Sequence, residues 1–327
     1  MAFEGKNQAS PETRVEFDPE LRASLAVVGG VFPPTITKKL IDFMRTSYAS
    51  SGRDLLLESR AVTVEDIEIL ESPDARIEAS IVRPNVIKTS AVILCFHSGG
   101  LMFGDRFSGL DRVLDWVEDL GLVLVTIEYR LAPEYPYPTP FNDCYDSLLW
   151  LAENASSLGV DPDRILLAGA SAGGGLAAAV ALAARDRNGP QPLGLLLDYP
   201  MLDDRAVSAS IHEFDGVGVW DRVSNETGWA AYLGESVATP NVSPYAAPAR
   251  AETLAGLPPV FLSVGSAEIF RDEVIDFAER IWKSGGNAQL HVWPGAFHAC
   301  DIFAPYTGIS RQMIGARYAW LEHILDE

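Results

Sequence analysis

One stretch restricts how this 327-residue chain can fold more than any other. Ile165-Leu166-Leu167-Ala168 is a short apolar run, Gly169-Ala170-Ser171-Ala172-Gly173 follows as Gly-x-Ser-x-Gly, and Gly174 to Leu182 continues mostly in alanine and leucine. The succession reads as strand, sharp turn and helix, a nucleophile elbow with Ser171 at its tip. Gly169 and Gly173 let the flanking backbones close in and hold the serine strained, with its hydroxyl presented outward. The pentapeptide by itself also occurs in ordinary loops; the strand before it and the helix after it set this case apart.

The same region is uncharged for twenty residues between Arg164 and Arg185, long enough for a membrane span to be weighed. Its alanine and glycine content is only weakly apolar and the turn interrupts it. A buried strand followed by a buried helix is therefore expected, with no membrane association.

Along the chain, residues 1–55 read as an arm with helical pattern at Pro19 to Leu25 and again at Ile36 to Tyr48. Strands are expected at Ala61 to Leu70 and Arg76 to Arg83, the second alternating as in a half-buried antiparallel pair. Continuously apolar runs at Ala91 to Phe96, Leu122 to Glu128, Ile165 to Ala170, Leu193 to Asp198 and Pro259 to Val264 have the character of strands buried on both faces. Helical segments (Ser108 to Leu120, Phe141 to Leu158, Arg271 to Lys283, Ser310 to Leu325) alternate with them, and a last strand is expected at Ala288 to Trp293. That rhythm predicts an α/β fold with a mostly parallel eight-stranded sheet and an antiparallel start. It fails between Leu202 and Leu254, where a helical insertion with a helix at Asn225 to Leu233 is expected. Residues 1–55 and 203–255 are assigned to a helical cap, and 56–202 with 256–327 to one sheet domain.

Serine is a weak nucleophile that needs a base, and the base needs an orienting acid. In an open α/β sheet these belong on loops at the carboxyl ends of later strands, in the order serine, acid, histidine. His298 follows the last expected strand and is the expected base; His97, His212, His291 and His323 occupy less suitable places. Glu268, just after the strand ending at Val264, is the expected acid, with Asp272 as fallback. Asp272 and Glu273 fall in a first helical turn, where carboxylates complement the helix dipole. His97-Ser98-Gly99-Gly100 follows the first buried strand and offers the N–H groups of Gly99 and Gly100, with that of Ala172, as an oxyanion hole. Ser98 and, within the insertion, Trp220 are candidate substrate contacts, with Trp229 and Tyr232 as further aromatic candidates.

A net charge of −20 with scattered basic residues argues against nucleic acid. Cys95, Cys144 and Cys300 cannot all pair and have no metal-ligand spacing, which fits a cytoplasmic protein without a metal site. The first ten residues lack the basic head and apolar middle of an export signal.

Over nearly its full length the chain resembles the hormone-sensitive-lipase family of α/β-hydrolases, which includes the bacterial type IV esterases. The resemblance rests on His97-Ser98-Gly99-Gly100, Tyr129-Arg130-Leu131-Ala132-Pro133-Glu134, Asp161 to Ile165, Gly169 to Gly174, Ser243-Pro244-Tyr245-Ala246-Ala247-Pro248 and Gly265 to Glu273. It implies a Ser171, Glu268, His298 triad, an oxyanion hole from Gly99, Gly100 and Ala172, a cap from the arm and the insertion, and no cofactor. It further implies a small-molecule ester substrate with a short-to-medium acyl group, and it allows a homodimer paired through the last strand and helix. Four positions depart from the family's pattern. Ser98 and Ala299 stand where glycine is usual, Ala170 replaces Asp or Thr, and Glu268 replaces Asp. The same chemistry would serve a lactone, carbamate or activated amide, and a noncatalytic ligand receptor on this scaffold is the alternative of another class.

Overall fold

The computed structural model describes residues 14–29, 32–48, 53–69 and 76–326. The opening ten residues, read above as lacking an export signal, lie outside them. Among the described residues eight strands form one sheet: β1 (Val62–Glu68), β2 (Glu78–Pro84), β3 (Val92–Phe96), β4 (Val123–Ile127), β5 (Ile165–Ala170), β6 (Gly194–Asp198), β7 (Val260–Gly265) and β8 (Ala288–Trp293). Their spatial order is β1-β2-β4-β3-β5-β6-β7-β8. The β1/β2 and β2/β4 pairs are antiparallel and the remainder parallel, as the alternation of elements predicts.

Helices α1 (Pro19–Val28), α2 (Ile41–Ser47) and α3 (Arg53–Leu57) precede the sheet, and α4 (Asp111–Leu120), α5 (Thr139–Leu158) and α6 (Ala172–Asp186) alternate with its strands. The segment after β6 carries α7 (Ala209–Glu213) and α8 (Arg222–Leu233); α9 (Arg271–Lys283), α10 (Cys300–Phe303) and α11 (Gly308–Asp326) follow. Every residue of β3 to β7 is buried, because helices cover both faces. Successive side chains feed opposite cores: Leu94, Val125 and Leu167 join one, Ile93, Leu124 and Leu166 the other.

The uncharged run is explained by α6, in which all of 172–184 is buried. Among the described residues no helix is long and apolar enough to cross a membrane.

Three local expectations are corrected. β2 is not half-buried, because Ile81 and Val82 enter different cores and both of its faces are covered. Helix α8 starts at Arg222 rather than Asn225, since the Asp221 carboxylate accepts the N–H of Ser224 and caps the helix earlier. The short helices α3, α7 and α10 were not foreseen, as each is too brief to show a period.

The arm and the insertion touch each other. Thr35 Oγ1 donates to Asp221 Oδ2 (2.6 Å), the Ile36 N–H donates to Ser224 Oγ (2.8 Å), and the Phe17 and Phe214 rings lie 6.1 Å apart.

The chain runs from β3 out to β4 on one side and then back across to β5 on the other. Strand order therefore reverses between β3 and β5, and the loops leaving their carboxyl ends flank a crevice. That crevice needs a close approach of backbones. A Cβ on Gly173 would lie 2.0 Å from the Phe96 carbonyl oxygen, and one on Gly169 would lie 2.3 Å from the Gly173 carbonyl. Gly173→Ala is expected to lower the unfolding free energy by about 1–3 kcal/mol through this overpacking; a urea midpoint equal to the parent's would show that the crowding is relieved at no cost.

Candidate active site

Ser171 occupies the turn between β5 and α6 with φ 56° and ψ −120°, a conformation that non-glycine residues rarely adopt. Its N–H donates to the Asp198 carbonyl (2.9 Å) and its carbonyl accepts the N–H groups of Met201 and Gly175, each at 3.0 Å. The strained turn is thus pinned from β6 as well as from its own helix.

His298 lies on the loop after β8, and its Nε2 is 3.0 Å from Ser171 Oγ. On the other side, its Nδ1 is 2.6 Å from Glu268 Oε2, while Glu268 Oε1 accepts the Gly265 N–H at 2.9 Å. All three side chains are buried. Burial raises the Glu268 carboxyl above its ordinary range, against the opposing pull of His298 and of the Gly265 N–H. The imidazole is wedged edge-on between Tyr199 (centroids 4.8 Å) and Phe270 (5.2 Å). Ala299, next in sequence, has φ 60° and begins the tight turn into α10, which is where the resembled family uses glycine.

Asp272 is engaged elsewhere. Its carboxylate accepts the Ser210 N–H (2.8 Å) and pairs with Arg271 (2.7 Å), and these partners hold it below the ordinary carboxylate range despite partial burial. Glu273 is buried and accepts the Leu202 N–H at 2.8 Å, so it braces the start of the insertion rather than merely complementing the helix dipole.

The loop after β3 forms the facing wall. Gly99 and Gly100 have φ 122° and 59°, and a Cβ on Gly100 would meet the Trp220 ring at 2.2 Å. Neither position admits a side chain without movement. Gly99 O accepts the N–H groups of Met102 (3.0 Å) and Phe103 (3.1 Å), and the Tyr129 hydroxyl donates to His97 O at 2.8 Å. From the arm, Arg45 donates to Met102 O (2.9 Å) and Ala132 O (3.1 Å) and pairs with Glu134, whose carboxyl it holds down at about 2. Ala172 opens α6, where the first N–H groups have no partner within the helix.

Between these walls is a narrow cleft that Ser171 and His298 both line. Phe32, Tyr48, Phe103, Val219, Trp220 and Phe303 give it an apolar surface. Ser98 lines it too, with its hydroxyl 2.8 Å from that of Tyr48. Trp220 forms part of this wall, against the glycine loop. Trp229 and Tyr232 are not among the lining residues and belong to the apolar core. The arm's contributions, Phe32 and Tyr48, went unforeseen because nothing local to residues 32 and 48 signals a contact with loops far along the chain. Cys95, Cys144 and Cys300 are buried free thiols, and among the described residues no cluster of His, Cys, Asp or Glu is arranged to hold a metal ion.

The family model described as alpha/beta hydrolase fold matches residues 93–302. Esterase LipI of Mycobacterium tuberculosis is 35% identical over 208 residues, an alignment covering 61% of this chain and 62% of that protein. Carboxylesterase NlhH of the same species is 32% identical over 245 residues, 74% of this chain and 76% of that one. A solved bacterial heroin esterase superposes with a TM-score of 0.85 at 33% identity, covering 94% and 98% of the two chains. The chain belongs to the α/β-hydrolase-fold family, among the esterases of the hormone-sensitive-lipase group.

His97 gives the site a pH-dependent foundation. It is buried, stacked on Tyr129 at 4.0 Å, with Nδ1 2.7 Å from Ser98 O and Nε2 without a partner among the described residues, and burial pulls its pKa from 6.5 to about 4. Between those values the unfolded chain binds a proton that the folded one does not, so folding weakens as pH falls through 6.5 and the loss is complete below about 4. Over that range the parent should lose up to about 3 kcal/mol more stability than a His97→Asn variant, measured as urea unfolding at stepped pH. Identical pH slopes would show that His97 takes up its proton as readily in the folded chain as in the unfolded one.

Proposed function

We propose that the chain is a carboxylesterase in which Ser171, His298 and Glu268 act as nucleophile, base and orienting acid. The observation that carries this is the unbroken sequence of contacts from Glu268 Oε2 through His298 (2.6 Å) to Ser171 Oγ (3.0 Å), opening on a cleft. Ser171 Oγ attacks the ester carbonyl carbon as His298 Nε2 takes its proton, and the Glu268 carboxylate stabilises the imidazolium. The negative charge that develops on the carbonyl oxygen is met by the N–H groups of Gly99, Gly100 and Ala172. Collapse breaks the bond to the leaving alcohol, which takes the proton from His298 and departs, leaving Ser171 acylated. Water, deprotonated by His298, then attacks the acyl carbon, and Ser171 leaves with the returned proton.

The cleft is small and mostly aromatic, which favours esters with short-to-medium acyl groups and little charge. The proposed cap is assigned to residues 1–55 and 203–255 and the catalytic domain to 56–202 and 256–327; the bonds from Thr35 and Ile36 to the start of α8 support joining the arm to the insertion. We further propose a cytoplasmic enzyme without a cofactor, a reading that the free buried thiols support, and a homodimer that would pair through the edge strand β8 and α11.

Ser171→Ala should abolish release of p-nitrophenol from a short-chain ester and abolish labelling by a fluorophosphonate, with the fold retained. Glu268→Gln should lower kcat by roughly 10³–10⁴-fold, while Asp272→Asn should stay within a few-fold of the parent. A parent that neither turns over esters nor takes the label would exclude the proposal, and equal losses in the two carboxylate variants would return Asp272 to candidacy.

A further inference from the structure

Beneath the cleft lies a set of charges that the mechanism above does not use. Asp198 ends the otherwise apolar β6, and its carboxylate meets Arg317 Nε of α11 at 2.7 Å and Arg112 of α4 at 3.4 Å. Arg112 also meets Asp301 of α10 at 2.6 Å, as does Arg317 at 2.8 Å. Two guanidinium groups and two carboxylates therefore close a ring whose charges balance. Both carboxylates and Arg317 are buried. Well-packed apolar residues would stabilise such a place at least as well, so stability alone is a weak reason for the ring.

Its connections run to the reacting pair. On one side, the backbone carbonyl of Asp198 accepts the N–H of Ser171. On the other, Asp301 lies three residues beyond His298, past the left-handed turn at Ala299. Tyr199 joins the two. Its backbone adopts φ 37°, its hydroxyl donates to Asp301 Oδ1 (3.0 Å) and accepts from Arg112 (3.0 Å), and the edge contact between its ring and the His298 imidazole puts the centroids 4.8 Å apart. Phe270 packs against the same imidazole with no polar atom to anchor it. Of the two rings, only Tyr199 is fixed by charge-assisted hydrogen bonds, and these leave it one orientation.

We infer that the Arg112, Asp198, Asp301 and Arg317 ring, acting through Tyr199, is a positioning device that holds the His298 imidazole in line with Ser171. It rests on the roles proposed for those two residues. Tyr199 touches the base and lines the cleft, whereas the four charged residues act only through it and through the backbone at 198 and 301. Near-attack geometry is steep in distance, with a displacement of about 1 Å able to cost about 10²-fold in rate. A base that drifts sideways loses turnover before it loses substrate binding.

The test uses Tyr199→Phe, which removes one hydroxyl and leaves all four charges paired, alongside Asp301→Asn. Tyr199→Phe is expected to lower kcat by between about 5-fold and 50-fold with KM near the parent's and little change in Tm. It should also broaden or shift the downfield proton resonance of the His298 Nδ1–H, assigned by its absence in Glu268→Gln. Asp301→Asn should lower kcat further; should it fail to fold, Tyr199→Phe alone decides. Parent-like kcat and an unmoved imidazole proton in Tyr199→Phe would overturn the inference and leave the ring a purely structural feature. So would a raised KM with kcat unchanged. If the parent hydrolyses no ester, the proposed function fails instead, and the imidazole resonance still reports whether Tyr199 sets the ring's position.

Discussion

The structure depends on the near-contact of backbones around Ser171. Gly169 and Gly173 leave room for the turn, the Phe96 carbonyl occupies the space a side chain at 173 would need, and the Asp198 carbonyl takes the Ser171 N–H. Strain at a non-glycine residue with φ 56° costs on the order of 1–3 kcal/mol. It persists because β3, β6 and α6 converge on the turn and leave no relaxed alternative. With the serine so held, the ends of β7 and β8 need only deliver a carboxylate and an imidazole to the same edge of the sheet.

Much of this was legible in the sequence because the sheet's physics is local. A strand buried on both faces writes itself as an apolar run, and the order serine, acid, histidine follows from where parallel strands end. Ser171 and His298 stand on the loops that this order predicts, while spacing leaves the acid open between Glu268 and Asp272; the contact of Glu268 with His298 and the engagement of Asp272 by Ser210 and Arg271 are visible only in three dimensions. What escaped is nonlocal. Nothing near Phe32 or Tyr48 says that they reach the loop after β3, and an Asp at the end of an apolar run looks like a strand terminus rather than half of an ion pair with Arg317. β2 was misjudged for a related reason: its alternation described one face correctly, while the cover on the other comes from distant elements.

The positions that depart from the resembled family differ in consequence. Ala299 keeps the left-handed turn its glycine counterpart would make, at the expense of some strain. Ser98 adds a hydroxyl that meets Tyr48, so it alters the cleft wall and ties it to the arm. Glu268 reaches His298 at 2.6 Å while its other oxygen accepts the Gly265 N–H, so the longer side chain is held at both carboxylate oxygens.

Arg45 carries a further implication. It precedes the sheet in sequence, yet its guanidinium clasps carbonyls of Met102 and Ala132 and so steadies the glycine loop from outside. The sheet portion is therefore not a free-standing module that could be trimmed at its amino end or grafted under a foreign lid. A shortened version would keep every reacting side chain and lose the clasp that keeps the surrounding loop in shape, so rate and selectivity would drift together whenever the leading segment is exchanged.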